Sequence, residues 1–299
     1  MAREIVEKDI SLLEDLLKKV LNKETYKNIE RLGGLTNHTY KITLDNGEQY
    51  ILRIPGDGTE ELINRKDEQK STMLACELGI DAKCLFFGED GFKVTEYIKD
   101  AITMSPETIK EPTIIAKVAD IFKKLHSSEK DTGVPFEVFE MAAGYEKIIF
   151  DSNVKLYEDY DAIKAQVMDI KNEIDSSCDI KKVPCHNDPL CENWVLGENQ
   201  MYLIDWEYAG MNDGMWDLAD VSIEASYTHE EDELLLKKYF SSSIDNGTWK
   251  HFLASKIYVD YLWTLWAKTR VPFDGQPMED WATERYLRLK NNIIEFNKI

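Results

Sequence analysis

No run of about eighteen uncharged apolar residues occurs in the 299-residue sequence, so no membrane-spanning helix is expected. The first ten residues, MAREIVEKDI, alternate charge with apolar residues and lack the apolar core of a secretory signal, which points to the cytoplasm. Cysteine is scarce. Cys76, Cys84, Cys178, Cys185 and Cys191 are odd in number and lack C-x-x-C spacing, so neither a disulfide framework nor a zinc ribbon is indicated, and they read as small apolar fillers. Positive charge is also short: 36 Lys and Arg face 56 Asp and Glu, and a net charge of −20 repels polyphosphate backbones and anionic lipid. Nucleic acid and membrane are therefore not expected as partners, and no obligate protein partner is indicated. No internal repeat is visible. What is present is ordinary for a globular chain of one large or two small domains, with 43% hydrophobic and 31% charged residues.

The pattern along the chain changes once. Val6, Ile10, Leu13, Leu16, Leu17, Val20 and Leu21 follow the helical period, predicting an amphipathic helix over 6–21. Two strand-like pieces, Tyr40–Leu44 and Tyr50–Ile54, flank Asp45-Asn46-Gly47, whose Asn-Gly pair favours a tight hairpin. A polar helix containing 64–78 and apolar runs at 84–87 and 92–98 follow, so five strands and one helix fit residues 25–98. Beyond that point helices dominate, at 113–126, 230–240 and 249–269. The charged segment 151–182 also reads as helical, without an assignable function. The domains expected are 1–98 and 99–299. Of the 56 acidic residues, 37 fall in 99–299 against 22 basic ones, so a cationic ligand would be drawn there.

One segment, 183–220, is dense in Asn, Asp, Pro and Trp and holds two short strands at 194–196 and 201–204. Within it His186, Asp188 and Asn193 stand in the order H-x-D-x-x-x-x-N, and Asp205 follows twelve residues after the asparagine. Phosphoryl transfer needs an aspartate to orient and deprotonate a hydroxyl, plus an amide oxygen and a second carboxylate to hold Mg²⁺ on a triphosphate. A loop aspartate and asparagine beside a hairpin that delivers another aspartate gathers hard oxygen ligands. Taken singly, each of these residues is equally at home in an ordinary turn.

The stretches HNDPLCENWVL and LIDWEYAGMNDGMWDLAD resemble the signature region of the choline and ethanolamine kinases, within the aminoglycoside phosphotransferase and protein-kinase-like superfamily, and are closest to its LicA-type bacterial members. The resemblance implies an α+β, bilobal protein-kinase-like fold with a small antiparallel-sheet N-lobe, a mostly helical C-lobe and ATP between them. It implies that Asp188 is the base, that Asn193 and Asp205 hold Mg²⁺ with Glu207 assisting, and that His186 braces the loop. Arg53 takes the place of the protein-kinase lysine as phosphate clamp, with Glu68 as its carboxylate partner. Residues 32–37, including Thr36 and Asn37, lie where a kinase keeps its phosphate-covering loop, although two adjacent glycines replace the G-x-G-x-x-G pattern. Backbone groups near Glu96 and Ile98 would meet the adenine.

The acceptor must be argued from the aromatic residues. All seven tryptophans lie between Trp194 and Trp281, and Trp263 and Trp266 share a helix face. A quaternary ammonium has no N–H to donate, so ring faces and diffuse negative charge recognise it. By resemblance Trp263, Trp266, Tyr208 and Glu224 line a choline pocket, with Trp281, Arg285 and Tyr227 beside them. Read without the resemblance, the tryptophans are core aromatics, Tyr208 packs under the catalytic loop, and Glu224 caps a helix or pairs with Arg285. The expected reaction converts ATP and choline to ADP and phosphocholine. An ethanolamine or aminoglycoside kinase and a catalytically inactive ligand-binding relative are the alternatives.

Overall fold

The computed structural model describes residues 5–33, 37–56, 63–198 and 200–299. Its packing forms two compact units, Met1–Met104 with Glu192–Ala209, and Ser105–Cys191 with Gly210–Ile299. In the first, α1 (Glu7–Leu16) runs on as a π-helical turn over Leu17–Leu21 and stops at Asn22, whose φ is 53°. The strands β1 (Asn28–Gly33), β2 (Asn37–Thr43) and β3 (Gln49–Pro55) follow. Then come helix α2 (Arg65–Glu77) and strands β4 (Cys84–Phe87), β5 (Lys93–Glu96) and β6 (Ile102–Thr103). Strands β1 to β5 form one antiparallel sheet in the order β1-β2-β3-β5-β4.

Alternation along these strands sorts the side chains by face. Tyr40 pairs with Leu52 and Leu52 with Val94, and with Ile42 and Ile54 they bury against Leu13, Leu16 and Leu17. Each such burial is worth roughly 1.5–3 kcal/mol. The residues one step along, Arg53 and Lys93, pair with each other and are turned to the opposite face. The hairpin between β2 and β3 closes as its Asn-Gly pair predicts, with Gly47 at φ 89°. Asn64 caps α2 by accepting from the Lys66 N–H at 3.1 Å, which fixes Arg65 and Glu68 in the first turn of the helix.

The second unit is helical, with α3 (Pro112–His126), α4 (Val138–Asp151), α5 (Tyr160–Ser177) and strand β7 (Lys182–Cys185). The chain then enters the first unit for the hairpin β8 (Trp194–Leu196) and β9 (Met201–Leu203). It leaves through β10 (Gly210–Asp213), α6 (Gly214–Glu224), α7 (His229–Phe240), α8 (Asn246–Asp274) and α9 (Gln276–Phe296). Strand β10 pairs antiparallel with β7. The stripe foreseen on 113–126 is buried, including Val118, Phe122 and Leu125. The charged segment 151–182 holds α5.

A division at residue 98 does not capture the hairpin β8–β9. The Met104 N–H donates to the Trp194 carbonyl at 2.8 Å and the Leu203 N–H to the Ile80 carbonyl at 3.1 Å, and these bonds bind the hairpin to the first unit. Among the described residues no helix is long and apolar enough to cross a membrane.

Candidate active site

Arg53 reaches the first unit's polar face from β3 and is almost fully buried. Its Nη1 donates to Glu68 Oε1, its Nη2 donates to the Gly91 carbonyl at 3.0 Å, and Asp205 Oδ1 lies 3.8 Å from Nη1. The other oxygen of Glu68 accepts from Arg65 Nη1 at 2.7 Å, so one buried carboxylate holds two guanidinium groups. Arg65 also donates to Asn37 Oδ1 at 3.2 Å, and Asn37 Nδ2 donates to Glu207 Oε2 at 3.1 Å. Gly91, at φ 85°, makes this possible, because a Cβ there would lie 2.7 Å from Cδ of Arg65.

The hairpin β8–β9 supplies the oxygens. Trp194 pairs with Leu203, and the Ile204 N–H donates to the Asn193 carbonyl at 2.9 Å, so Asn193 stands across the ladder from the residue before Asp205. Asp205 itself has φ 69°, a left-handed conformation that aspartate tolerates better than most residues. Its Oδ1 is sheltered from solvent and makes no hydrogen bond. Glu207 is pushed up to about 7, by burial first and by the charge of Asp205 second, against the bond from Asn37. An orphaned carboxylate oxygen, a second carboxylate that burial and the charge of Asp205 push up, and an amide side chain at Asn193 fit a hard divalent cation such as Mg²⁺.

In the second unit the loop after β7 is braced from α6. Asp217 is fully buried; its Oδ2 accepts the His186 N–H and its Oδ1 the Asn187 N–H, both at 2.8 Å. Nε2 of His126 lies 3.0 Å from the same carboxylate and Nδ1 lies 2.9 Å from the Tyr239 hydroxyl. Gly214 admits that ring, since a Cβ there would lie 2.8 Å from Nδ1. Asn187 takes φ 66°, its carbonyl accepting from Trp216 Nε1 at 3.1 Å and its Oδ1 from Asn212 at 3.0 Å. Asp188 follows, half-buried, donating its N–H to His186 Nδ1 at 3.3 Å. The loop backbone is thus fixed before the Asp188 carboxyl group is reached.

The tryptophans form a chain of edge contacts in the same unit. Trp216 meets Trp263 with ring centroids 6.5 Å apart, Trp263 meets Trp266 at 6.2 Å, and Trp266 meets Trp281 at 6.0 Å. The guanidinium of Arg285 lies 3.9 Å over Trp281 and donates to Glu224. Asp260 accepts from Arg285 at 3.4 Å and from Arg288 at 2.7 and 2.8 Å. Trp263 is buried, whereas Trp266 and Trp281 are half-buried.

A family model described as choline/ethanolamine kinase matches residues 29–262. The chain belongs to that family. It is 28% identical over 261 residues to Protein LicA of Haemophilus influenzae, spanning 85% of this chain and 76% of that one. A crystal structure of a choline/ethanolamine kinase family protein from Mesorhizobium loti matches with a TM-score of 0.84 at 32% identity, covering 95% of this chain and 94% of that one. The crystal structure of choline kinase LicA from Streptococcus pneumoniae matches with a TM-score of 0.80 at 32% identity, covering 95% and 98%. The fold is the α+β protein-kinase-like fold expected from the sequence. As a member of the choline/ethanolamine kinase family the protein is a kinase, using a nucleotide and a small-molecule alcohol.

Within this kinase the expected residues fall into groups. Arg53, Glu68, Asn37, Asp205 and Glu207 come together, while Trp263, Trp266, Trp281, Arg285 and Glu224 form the second cluster. Thr36 lies outside the described residues, as do its neighbours 34 and 35. Glu96 is exposed, pairs with Lys83 at 3.2 Å and gives its N–H to the Lys83 carbonyl, and Ile98 packs against Gly197. Tyr208 belongs by packing to the first unit. Tyr227 is buried and donates its hydroxyl to the Ile109 carbonyl at 3.1 Å. Arg65, Asp217 and Asp220 were not singled out by sequence. Asp217 and Asp220 are visible there only as acids three apart on one helix face.

Proposed function

We propose that this kinase transfers the γ-phosphate of ATP to the hydroxyl of choline, giving ADP and phosphocholine. Asp188 accepts the hydroxyl hydrogen bond and takes the proton as the new oxygen–phosphorus bond forms and the bond to the ADP oxygen breaks. Arg53, held by Glu68, clamps the nucleotide phosphates. Asn193, Asp205 and Glu207 hold Mg²⁺, which when bound offsets the charge developing on the phosphoryl oxygens. Trp263, Trp266 and Trp281 present ring faces to the trimethylammonium head.

The run of three indoles ending at the Arg285–Glu224 pair carries the choice of choline, because rings attract a cation that cannot donate a hydrogen bond. The LicA relatives, among them the choline kinase LicA of Streptococcus pneumoniae, support the same choice. The test is ADP release from Mg·ATP in the presence of choline, ethanolamine or an aminoglycoside. Choline should give the highest kcat/KM, and a higher value with either competitor would replace the reading.

A further inference from the structure

Asp220 lies at the centre of α6, one helical turn beyond Trp216 and one before Glu224, so the three share a face. The tryptophan chain begins at Trp216 and the Arg285 link ends at Glu224. The contacts Trp216, Trp263, Trp266, Trp281, Arg285, Glu224 therefore leave α6 on one side of Asp220 and return to it on the other. On the helix face between those two ends the Asp220 side chain is 1% exposed, and neither of its oxygens makes a hydrogen bond. A carboxylate without hydrogen-bond partners is among the most costly groups to bury.

We propose that Asp220 is the counter-charge for the substrate's cationic head, a specificity-determining residue that discriminates a charged from a neutral acceptor of the same shape. The proposal rests on the choline reading above and adds a residue to it. The charged groups acting on Asp220 are Glu224 and Asp217 on its own helix, Asp188 on the catalytic loop and Arg285 on α9. Acids outnumber the one cation. Burial first, then Glu224 and Asp188, hold Asp220 well above the usual carboxylate range against the pull of Arg285, so an arriving cation draws it toward its charged form. Asp260 on α8 adds no free negative charge, as it is taken up by Arg285 and Arg288.

Calorimetric titration of choline and of its neutral carbon analogue 3,3-dimethylbutan-1-ol into wild type and Asp220→Asn tests the assignment. The variant should bind choline about tenfold more weakly and the neutral alcohol unchanged. Wild type titrated in two buffers of different ionisation heat should release protons on binding choline and none on binding the alcohol, a readout that needs no variant. Since Asp220 holds its proton more tightly folded than unfolded, its burial costs stability as pH rises above the ordinary aspartate value of about 3.9. Asp220→Asn should therefore melt at or above wild type at neutral pH, where a purely structural aspartate would make it melt lower. Equal choline affinity in both proteins, or equal weakening of both ligands, overturns the role of Asp220. Wild type that binds neither choline nor ethanolamine overturns the substrate reading and this proposal together.

Discussion

Nη1 of Arg53 stands 3.8 Å from Oδ1 of Asp205, the oxygen that lacks a hydrogen bond. A strand cation and a hairpin carboxylate thus face each other within the first unit, close enough to interact but too far apart to satisfy one another. A divalent ion on Asp205 would complete the carboxylate and leave Arg53 for phosphate. Affinity for ATP, measured by titration with and without Mg²⁺, should rise at least tenfold with the metal. Asp205→Asn should remove most of that difference, and equal affinities in wild type would contradict the assignment.

Glu68 is buried between two guanidinium groups. Burial alone would raise its pKa, but the charge and hydrogen bond of Arg53, with help from Lys93 and Arg65, bring it below the usual value. Its contribution to stability is therefore complete above the unfolded glutamate value of about 4.3 and is lost as pH falls through the lower folded value. Glu68→Gln leaves two buried cations undercompensated and should cost about 3–5 kcal/mol at neutral pH, with a smaller difference from wild type in acid. Urea unfolding at pH 7 and near pH 3 reads both.

Much of this first unit is legible in sequence because its signals are local. Period-two alternation and Asn46-Gly47 declare the β2–β3 hairpin, and that alternation turns Arg53 away from the apolar face. Glu68 can be named because it lies on the next helix. Arg65 pairs locally with Glu68, but its second partner Asn37 is 28 residues away and only the folded sheet brings them together. Helix α6 is hidden for another reason. Nearly every residue in it is buried, so it has no apolar stripe, and its aspartates read as surface charge until the fold encloses them. The hairpin β8–β9 is recognisable as strands, but its attachment to the first unit depends on backbone bonds that composition does not encode.

Asp217 acts on Asp188 through the loop backbone. Asp217→Asn would set an NH₂ group against one of the two backbone N–H donors, costing about 1–3 kcal/mol. The expected result is a kcat lowered by about a hundredfold with KM for ATP within twofold of wild type, because the displaced loop carries the proposed base. Steady-state kinetics separate the two parameters, and a change confined to KM for ATP would argue against bracing.

Trp266 is half-buried and links Trp263 to Trp281 in the chain of indoles. A ring contact with a desolvated cation is worth about 0.5–2 kcal/mol, so Trp266→Ala should raise KM for choline about two- to thirtyfold. KM for ATP should not move, and ethanolamine should be affected less than choline. Measuring all three in one preparation exposes a general folding defect, which would raise every constant alike.

The chemistry itself is read most directly by phosphorus NMR of Mg·ATP and choline incubated with wild type and with Asp188→Asn. The γ-phosphorus signal should be replaced one for one by phosphocholine with wild type. With the variant the rate should fall at least a hundredfold while nucleotide binding persists. Release of inorganic phosphate alone, no change in wild type, or an undiminished rate in Asp188→Asn would contradict choline phosphorylation with Asp188 as the base.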